Sequence, residues 1–359
     1  MLGIILRKLI FFSVLSIVIC LGFLEKYFLI DEAMAKSDSK EIEFVVVHKQ
    51  DSTENMELIK KFGDRIKKRT SGKIKVHVTP FNSLSPSSEI ASGGVLRSIV
   101  DVYTGKIQMS QVPIERLLFL SPDIDVLGMP KIFRDHEHVR KVLDGKVGDE
   151  LRQSLLEGSN YRMRGLAFTY SGGWRNIYST KKIDSLKDLA GLRMLVRGGR
   201  MGIDVMHFLD ISPVSWFVGR QGFKQAFFDN KLDLEEAEIN RVADLIIKKP
   251  ELVNKIKVIL ETHHSLFLTL LVVNENFFKS LGEKFQKILR EEAQQLAIEE
   301  RALSIKQETE NKKLLLSKGI AISPLSKQDQ DNLMAISLKI QNKYKRLLGG
   351  YIDEIRSTK

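Results

Sequence analysis

The chain has 359 residues, 43% of them hydrophobic and 28% charged, with a formal net charge of +11. That balance describes a folded globular protein long enough for two lobes, and excludes a disordered chain and a multispanning membrane protein. The positive charge suits nucleic acid, anionic lipid or anionic solutes as partners.

The N-terminus narrows those three. Arg7 and Lys8 precede an uncharged apolar run from Leu9 to Leu24, and Ala33-Met34-Ala35 offers a small-residue cleavage site before Lys36. Charge, apolar run, then small residues is the layout of a secretory signal peptide, here residues 1–35. The run is shorter than the roughly 20 residues of a membrane span. Tyr27 to Ile30 lengthen the apolar connector, so an uncleaved anchor stands as the alternative to a cleaved signal. Cys20 is the only cysteine and falls within residues 1–35. Export without disulfides suits a bacterial periplasm. An exported chain has little use for nucleic acid, which makes it the least favoured of the three. Lysines such as Lys60, Lys61, Lys67 and Lys68 read as an ordinary solvated surface.

In chain order, Ile42 to Val47 is a continuous apolar run, as expected of a strand buried on both faces. Residues 54–69 place Met56, Ile59, Phe62 and Ile66 on one helical face, and Ser71-Gly72 ends that helix. Lys73 to Thr79 alternates as a half-exposed strand, completing a right-handed βαβ unit. Pro86 to Tyr103 reads as a helix weakened by Gly93 and Gly94, and Gly105 to Met109 as a turn into a short strand. Val126 to Leu151 (VLGMPKIFRDHEHVRKVLDGKVGDEL) reads as a Pro-marked turn and an amphipathic helix stopped by Gly145. Ser171 to Gly199 holds two apolar-rich segments carrying arginines, joined by a helical turn ending near Gly191. Glu283 to Lys318 is one long helix of about 50 Å, and Lys327 to Arg356 forms a last one.

Several motifs resemble the substrate-binding proteins of TRAP (tripartite ATP-independent periplasmic) transporters, the DctP-like receptors. Thr70 to Val78 is similar to that family's T-S-G-K-I-K-V-x-V, and Val126 to Leu151 to its L-P-F-x-F-R-D-x-x-H-x-x-x-V-L-x-G-x-x-G. Gly173-Trp174-Arg175 fits its G-x-R element, and Asp188 to Arg193 fits D-L-x-G-L-K. Ile211-Ser212-Pro213 and Thr262-His263-His264 through Asn274 match in spacing. The resemblance implies a two-lobed α/β fold of the type II-like periplasmic-binding-protein kind. It implies a sheet of about five strands in each lobe, and a long helix spanning both. Lobe 1 would take residues 36–170 with a return segment near 262–282. Lobe 2 would take 171–261, completed by the C-terminal helices 283–359.

The resemblance further implies a monomer that captures a small anionic solute, an organic acid, for TRAP membrane permease subunits, without cofactor, metal or chemistry. Arg175 would face that ligand, since an arginine fork matches a carboxylate. The family's second, carboxylate-clamping arginine falls on Leu195, and its ligand-facing asparagine on Ala237. Its upstream Glu and Tyr fall on Gly222 and Lys224. Arg193 and Arg197 share a strand face with Leu195, so either is a candidate for a relocated anchor. His48 at the end of the first strand, Trp174 and Trp216 complete the candidate site. The alternative is that both arginines face solvent and that the ligand lacks the usual carboxylate.

Other constellations read as structural. His136-Glu137-His138 lacks the i, i+4 pair of a helical zinc site and would lie on a surface helix. His263 and His264 are adjacent and diverge. Asp229 to Glu238 is acid-rich but lacks the Ca²⁺-loop spacing. No nucleophile elbow, P-loop or dinucleotide fingerprint is present, so a periplasmic enzyme would need a catalytic group that the sequence does not show. A membrane-tethered sensor or interaction protein on the same fold is the runner-up.

Overall fold

A computed structural model describes residues 40–46, 53–80, 91–195, 200–214 and 230–359. The first strand, β1 (Lys40–Val46), buries Ile42 and Phe44. Helix α1 (Thr53–Arg69) turns Ile59, Phe62 and Ile66 onto it, and β2 (Ile74–Pro80) pairs with β1 in parallel. Helix α2 (Ala91–Thr104) leads to β3 (Met109–Pro113), parallel to β1 on its other side.

Asp135 caps α3 (His136–Asp144) by accepting from the His138 N–H at 2.7 Å. The expected stop at Gly145 is a junction, because α4 (Lys146–Gly158) begins at the next residue. A Cβ on Gly145 would lie 2.5 Å from the Lys141 carbonyl oxygen, so only glycine lets the two helices meet there.

Two strands of 17 residues each, β4 (Met163–Ser179) and β8 (Val258–Asn274), pair antiparallel along the middle of the molecule. Between them in sequence lie β5 (Arg193–Leu195), α5 (Arg200–Phe208), β6 (Ser212–Val214), β7 (Leu234–Glu238) and α6 (Ile239–Lys248). After β8 come the short α7 (Glu275–Ser280), the 36-residue α8 (Gly282–Ser317), β9 (Ala321–Pro324) and α9 (Lys327–Ser357). The strand order is β2-β1-β3-β8-β4-β7-β5-β6, with β9 added to β8. Where two separate sheets of about five strands were expected, one nine-stranded mixed sheet runs through both lobes. The reason is the length of β4 and β8: β8 pairs with β3 at one end and β9 at the other, and β4 runs beside it to pair with β7.

The C-terminal helices, expected to complete lobe 2, bury residues in both lobes. Leu289, Ala293, Leu296 and Ala297 of α8 pack with β1 and α1, while Leu315 joins the cluster under β7 and α6. Ile340, Tyr344, Leu348, Ile352 and Ile355 of α9 pack against α3 and α4. This last contact corrects the surface reading of the His136–His138 helix. His138 is buried, accepts the Arg134 N–H at Nδ1, and donates through Nε2 to the Ile355 carbonyl at 2.8 Å. Hydrophilic spacing within α3 could not reveal a helix two hundred residues away lying across it.

The β4–β8 register shifts between Tyr170 and Trp174, where Gly172 and Gly173 have φ of +116° and +86°. Helix α8 is fastened to this bulge: Ser304 Oγ accepts the Gly172 N–H at 2.9 Å, and the Ser304 carbonyl accepts from Asn240 of α6. A Cβ on Gly173 would lie 2.5 Å from Glu308 Oε2. Gly173→Ala therefore meets both a left-handed backbone and a carboxylate, and we expect it to lower stability by about 1–3 kcal/mol in chemical denaturation. Unchanged stability would show that the bulge relaxes freely.

Candidate functional site

Arg175 lies one residue beyond the bulge, on the edge of β4 that pairs with β7. Antiparallel register sets it opposite Glu238, and period-two alternation puts Glu236 on the same face of β7. Arg175 Nη1 donates to Glu236 Oε1 at 3.1 Å, and Nε lies 3.5 Å from Glu238 Oε1. A third carboxylate comes from the helical turn Ile114–Arg116 after β3: Glu115 Oε1 accepts from Nη2 at 2.5 Å. The guanidinium also lies over the Phe267 ring, 4.8 Å from its centre.

Arg175 is 14% exposed. Burial works against its charge, but Glu115, Glu236 and Glu238 outweigh it and hold the guanidinium protonated beyond its ordinary range. Glu238 is pushed up by burial, against the pull of Arg175 and Arg241. His264 extends the cluster, donating through Nε2 to Glu236 Oε2 at 3.1 Å while Nδ1 meets the Thr262 hydroxyl at 2.7 Å.

Trp174, the neighbour of Arg175 on β4, packs against two imidazoles. His136 lies 5.5 Å away, tilted to the indole, and His263 stacks on it at 5.8 Å. His263 has φ of +43°, and burial pushes its imidazole down to about 4, so the ring is neutral in this stack. The adjacent histidines do diverge, one toward Trp174 and one toward Glu236. Lys131 stands where the resembling motif has an aromatic. It reaches the Thr262 and His263 carbonyls at 3.4 and 3.3 Å, and burial lowers its pKa.

Arg193 is placed apart from this cluster. Its Nε and backbone N–H both donate to Asp233, at 2.7 and 3.0 Å, and the side chain is 43% exposed. The same bond holds the Asp233 carboxyl below the usual range. Leu195 is buried among Tyr178, Ala237, Val242 and Ile246. The two positions where the resembling family has a ligand-facing Arg and Asn are thus both apolar and packed in one cluster. Arg197, His48, Trp216, Gly222 and Lys224 lie outside the described residues.

Sequence reasoning did not single out Glu115, Glu236, Glu238 or His264 as partners of Arg175. For β7 a signal existed, since Glu236 and Glu238 share a strand face. Glu115 carries no local signal, because its position depends on how the turn after β3 approaches β4. Among the described residues, no group of three or more His, Cys, Asp or Glu is placed to hold a metal ion. The acids here surround a guanidinium instead.

Residues 44–219 and 243–347 match bacterial extracellular solute-binding protein family 7. The chain belongs to this family. Family members act outside the cytoplasm in solute binding, and no helix among the described residues is long and apolar enough to cross a membrane. The chain is 29% identical over 248 residues to the 2,3-diketo-L-gulonate-binding periplasmic protein YiaO of Escherichia coli, covering 68% of this chain and 69% of that protein. It is 25% identical over 232 residues to the C4-dicarboxylate-binding protein DctB of Bacillus subtilis, covering 64% and 61%. In fold, it is similar to a TRAP periplasmic solute-binding protein from Pseudomonas putida F1 crystallised with D-glucuronate. The TM-score is 0.74 at 22% identity, over 89% of this chain and 97% of that one. A Haemophilus influenzae TRAP protein with bound L-gulonate gives 0.74 at 21% identity, over 89% and 99%. The two-lobed α/β fold with a long helix spanning both lobes is therefore this chain's fold.

Proposed function

We propose that this family 7 receptor captures a small organic acid outside the cytoplasm and presents it to the permease subunits of a TRAP transporter. The observation that carries the reading is Arg175: a forked guanidinium held rigid beside the bulge where the lobes join, at a position matching the family's G-x-R arginine. The relatives named above bind a diketo sugar acid and C4-dicarboxylates, and the similar folds hold uronic and aldonic acids, so the ligand class is carboxylate. Residues 1–35 direct export, and closure of residues 36–170 with 262–282 onto 171–261 traps the ligand. The ligand's better fit to the closed state supplies the shift in population. No chemistry is performed on it, and the receptor works as a monomer. Arg197, His48 and Trp216 are proposed to line the same cleft.

Leu195 and Ala237 favour a second reading within this function, a ligand less acidic than the family's usual ones. A thermal-shift screen separates the two. Ligand at a hundred times its Kd stabilises the native state by about 2.7 kcal/mol. D-glucuronate, L-gulonate or a C4-dicarboxylate is expected to raise the melting temperature. A rise with neutral sugars and none with any acid would overturn the organic-acid reading.

A further inference from the structure

Arg175's three carboxylates are not equivalent. Glu236 and Glu238 stand on β7, fixed by the β4–β7 ladder. Glu115 belongs to the other lobe, on a turn anchored by Ile114 and Leu117 in the cluster with α3 and α4. It is the one acid of the three that reaches Arg175 across the lobes. At 2.5 Å its Oε1 is in direct contact with Nη2, which leaves no room for a ligand atom between them. The other oxygen, Oε2, is buried without a hydrogen-bond partner. A carboxylate held by one oxygen, with the other desolvated and unsatisfied, is bound less well than its contact distance suggests.

A ligand carboxylate arriving beside Glu115, Glu236 and Glu238 would place a fourth anion around one guanidinium. Exchanging it for Glu115 keeps the charge count constant and releases the unsatisfied oxygen to water. Resting on the organic-acid reading above, we propose that Glu115 is a built-in carboxylate. It clasps Arg175 when the unliganded lobes meet, and the ligand's acid group displaces it.

This exchange sets the ligand class. Swapping one carboxylate for another gains little in itself, so affinity must come from the rest of the ligand. A hydroxylated acid with several further donors is selected over a short plain monocarboxylate. Glu115 is then a specificity-determining residue, by competition rather than by contact.

The test uses the full mature chain with Glu115→Gln, which keeps the shape and removes the charge, and Glu115→Ala. Calorimetric titration with D-glucuronate and with propionate should show the acids binding at least tenfold tighter to Glu115→Gln than to the parent. Propionate is expected to become measurable. In parallel, spin labels at Lys61→Cys and Ile247→Cys, both exposed and on opposite lobes, report the unliganded lobe separation. That separation should lengthen in both variants. Equal or weaker binding of the acids by both variants overturns the proposal, whatever the distances do. Should no acid bind to the parent or to either variant, the organic-acid reading fails, and the label distances alone decide. A longer separation would then still establish the clasp, and an unchanged one would remove it.

Discussion

Arg175→Ala is expected to destabilise the protein by about 3–5 kcal/mol, the cost of removing one partner from a buried ionic cluster. The guanidinium is 14% exposed and stands among three carboxylates, so its loss leaves Glu115, Glu236 and Glu238 repelling one another in a desolvated site. Glu238 is already pushed up by burial and is held back by Arg175 and Arg241. Without Arg175 its pKa climbs further. A carboxyl whose folded pKa lies above its unfolded value binds its proton more tightly when folded, so its contribution to stability is largest in acid and falls as pH rises. The deficit of Arg175→Ala should therefore shrink as pH is lowered toward 5. Arg175→Lys retains the charge but not the fork, and should recover part of the loss. Chemical denaturation at pH 5 and pH 8 measures both. A deficit below about 1 kcal/mol at pH 8, independent of pH, would mean that the cluster is solvated rather than buried.

The elements of this fold were readable because they are local. Period-3.6 spacing at Met56, Ile59, Phe62 and Ile66 gave α1 within a residue or two, and the long α8 followed from Phe285, Ile288, Leu289 and Leu296. The continuity of the sheet was not readable. It depends on β4 and β8 pairing across the 78 residues between Ser179 and Val258, and an apolar run does not state how far it extends past a lobe boundary. The site was half legible. Arg175 was identified through its flanking glycines and the family motif, and the structure then gave those glycines a reason in the β4 bulge. Its counter-ions were not identified, because an ion pair between Glu115 and Arg175 joins segments 60 residues apart in the chain. Leu195 illustrates the limit from the other side. The sequence placed an apolar residue where an arginine was expected, but only packing explains the substitution, since Ala237 is lost to the same apolar cluster.

A large pH effect on the intact protein should come from Glu300. This residue sits on α8 where the helix crosses the sheet, 3% exposed. Gln111 Nε2 donates to its two oxygens at 2.9 and 2.8 Å, and to the Thr169 hydroxyl at 2.8 Å. Burial pushes the carboxyl up to about 7, against the hydrogen bonds from Gln111 and Thr169 and the field of Arg301, itself paired with Asp144. Two turns further on, Glu308 faces the Gly173 bulge and is likewise pushed up to about 7, by burial and then by Glu261 and Glu238, against Lys312.

An unfolded glutamate titrates near 4.3. The native state therefore holds protons that the unfolded state has released between about pH 4.3 and 7. The stabilisation is complete below the lower value and is lost as pH rises through the upper one, on the order of 3 kcal/mol for Glu300 alone. Glu300→Gln mimics the protonated acid. Its oxygen can still accept from Gln111, and its amide, like the protonated acid, carries no charge. The variant should match the parent at pH 5 and exceed it in stability at pH 8, flattening the profile by about 3 kcal/mol across that range. Profiles that stay parallel would place the titration elsewhere. Ser304, between the two glutamates on α8, accepts from Gly172, so the helical segment that carries this proton linkage also holds the bulge. Lobe closure followed at pH 5 and 8 should then differ in the parent, and Glu300→Gln should reduce that difference.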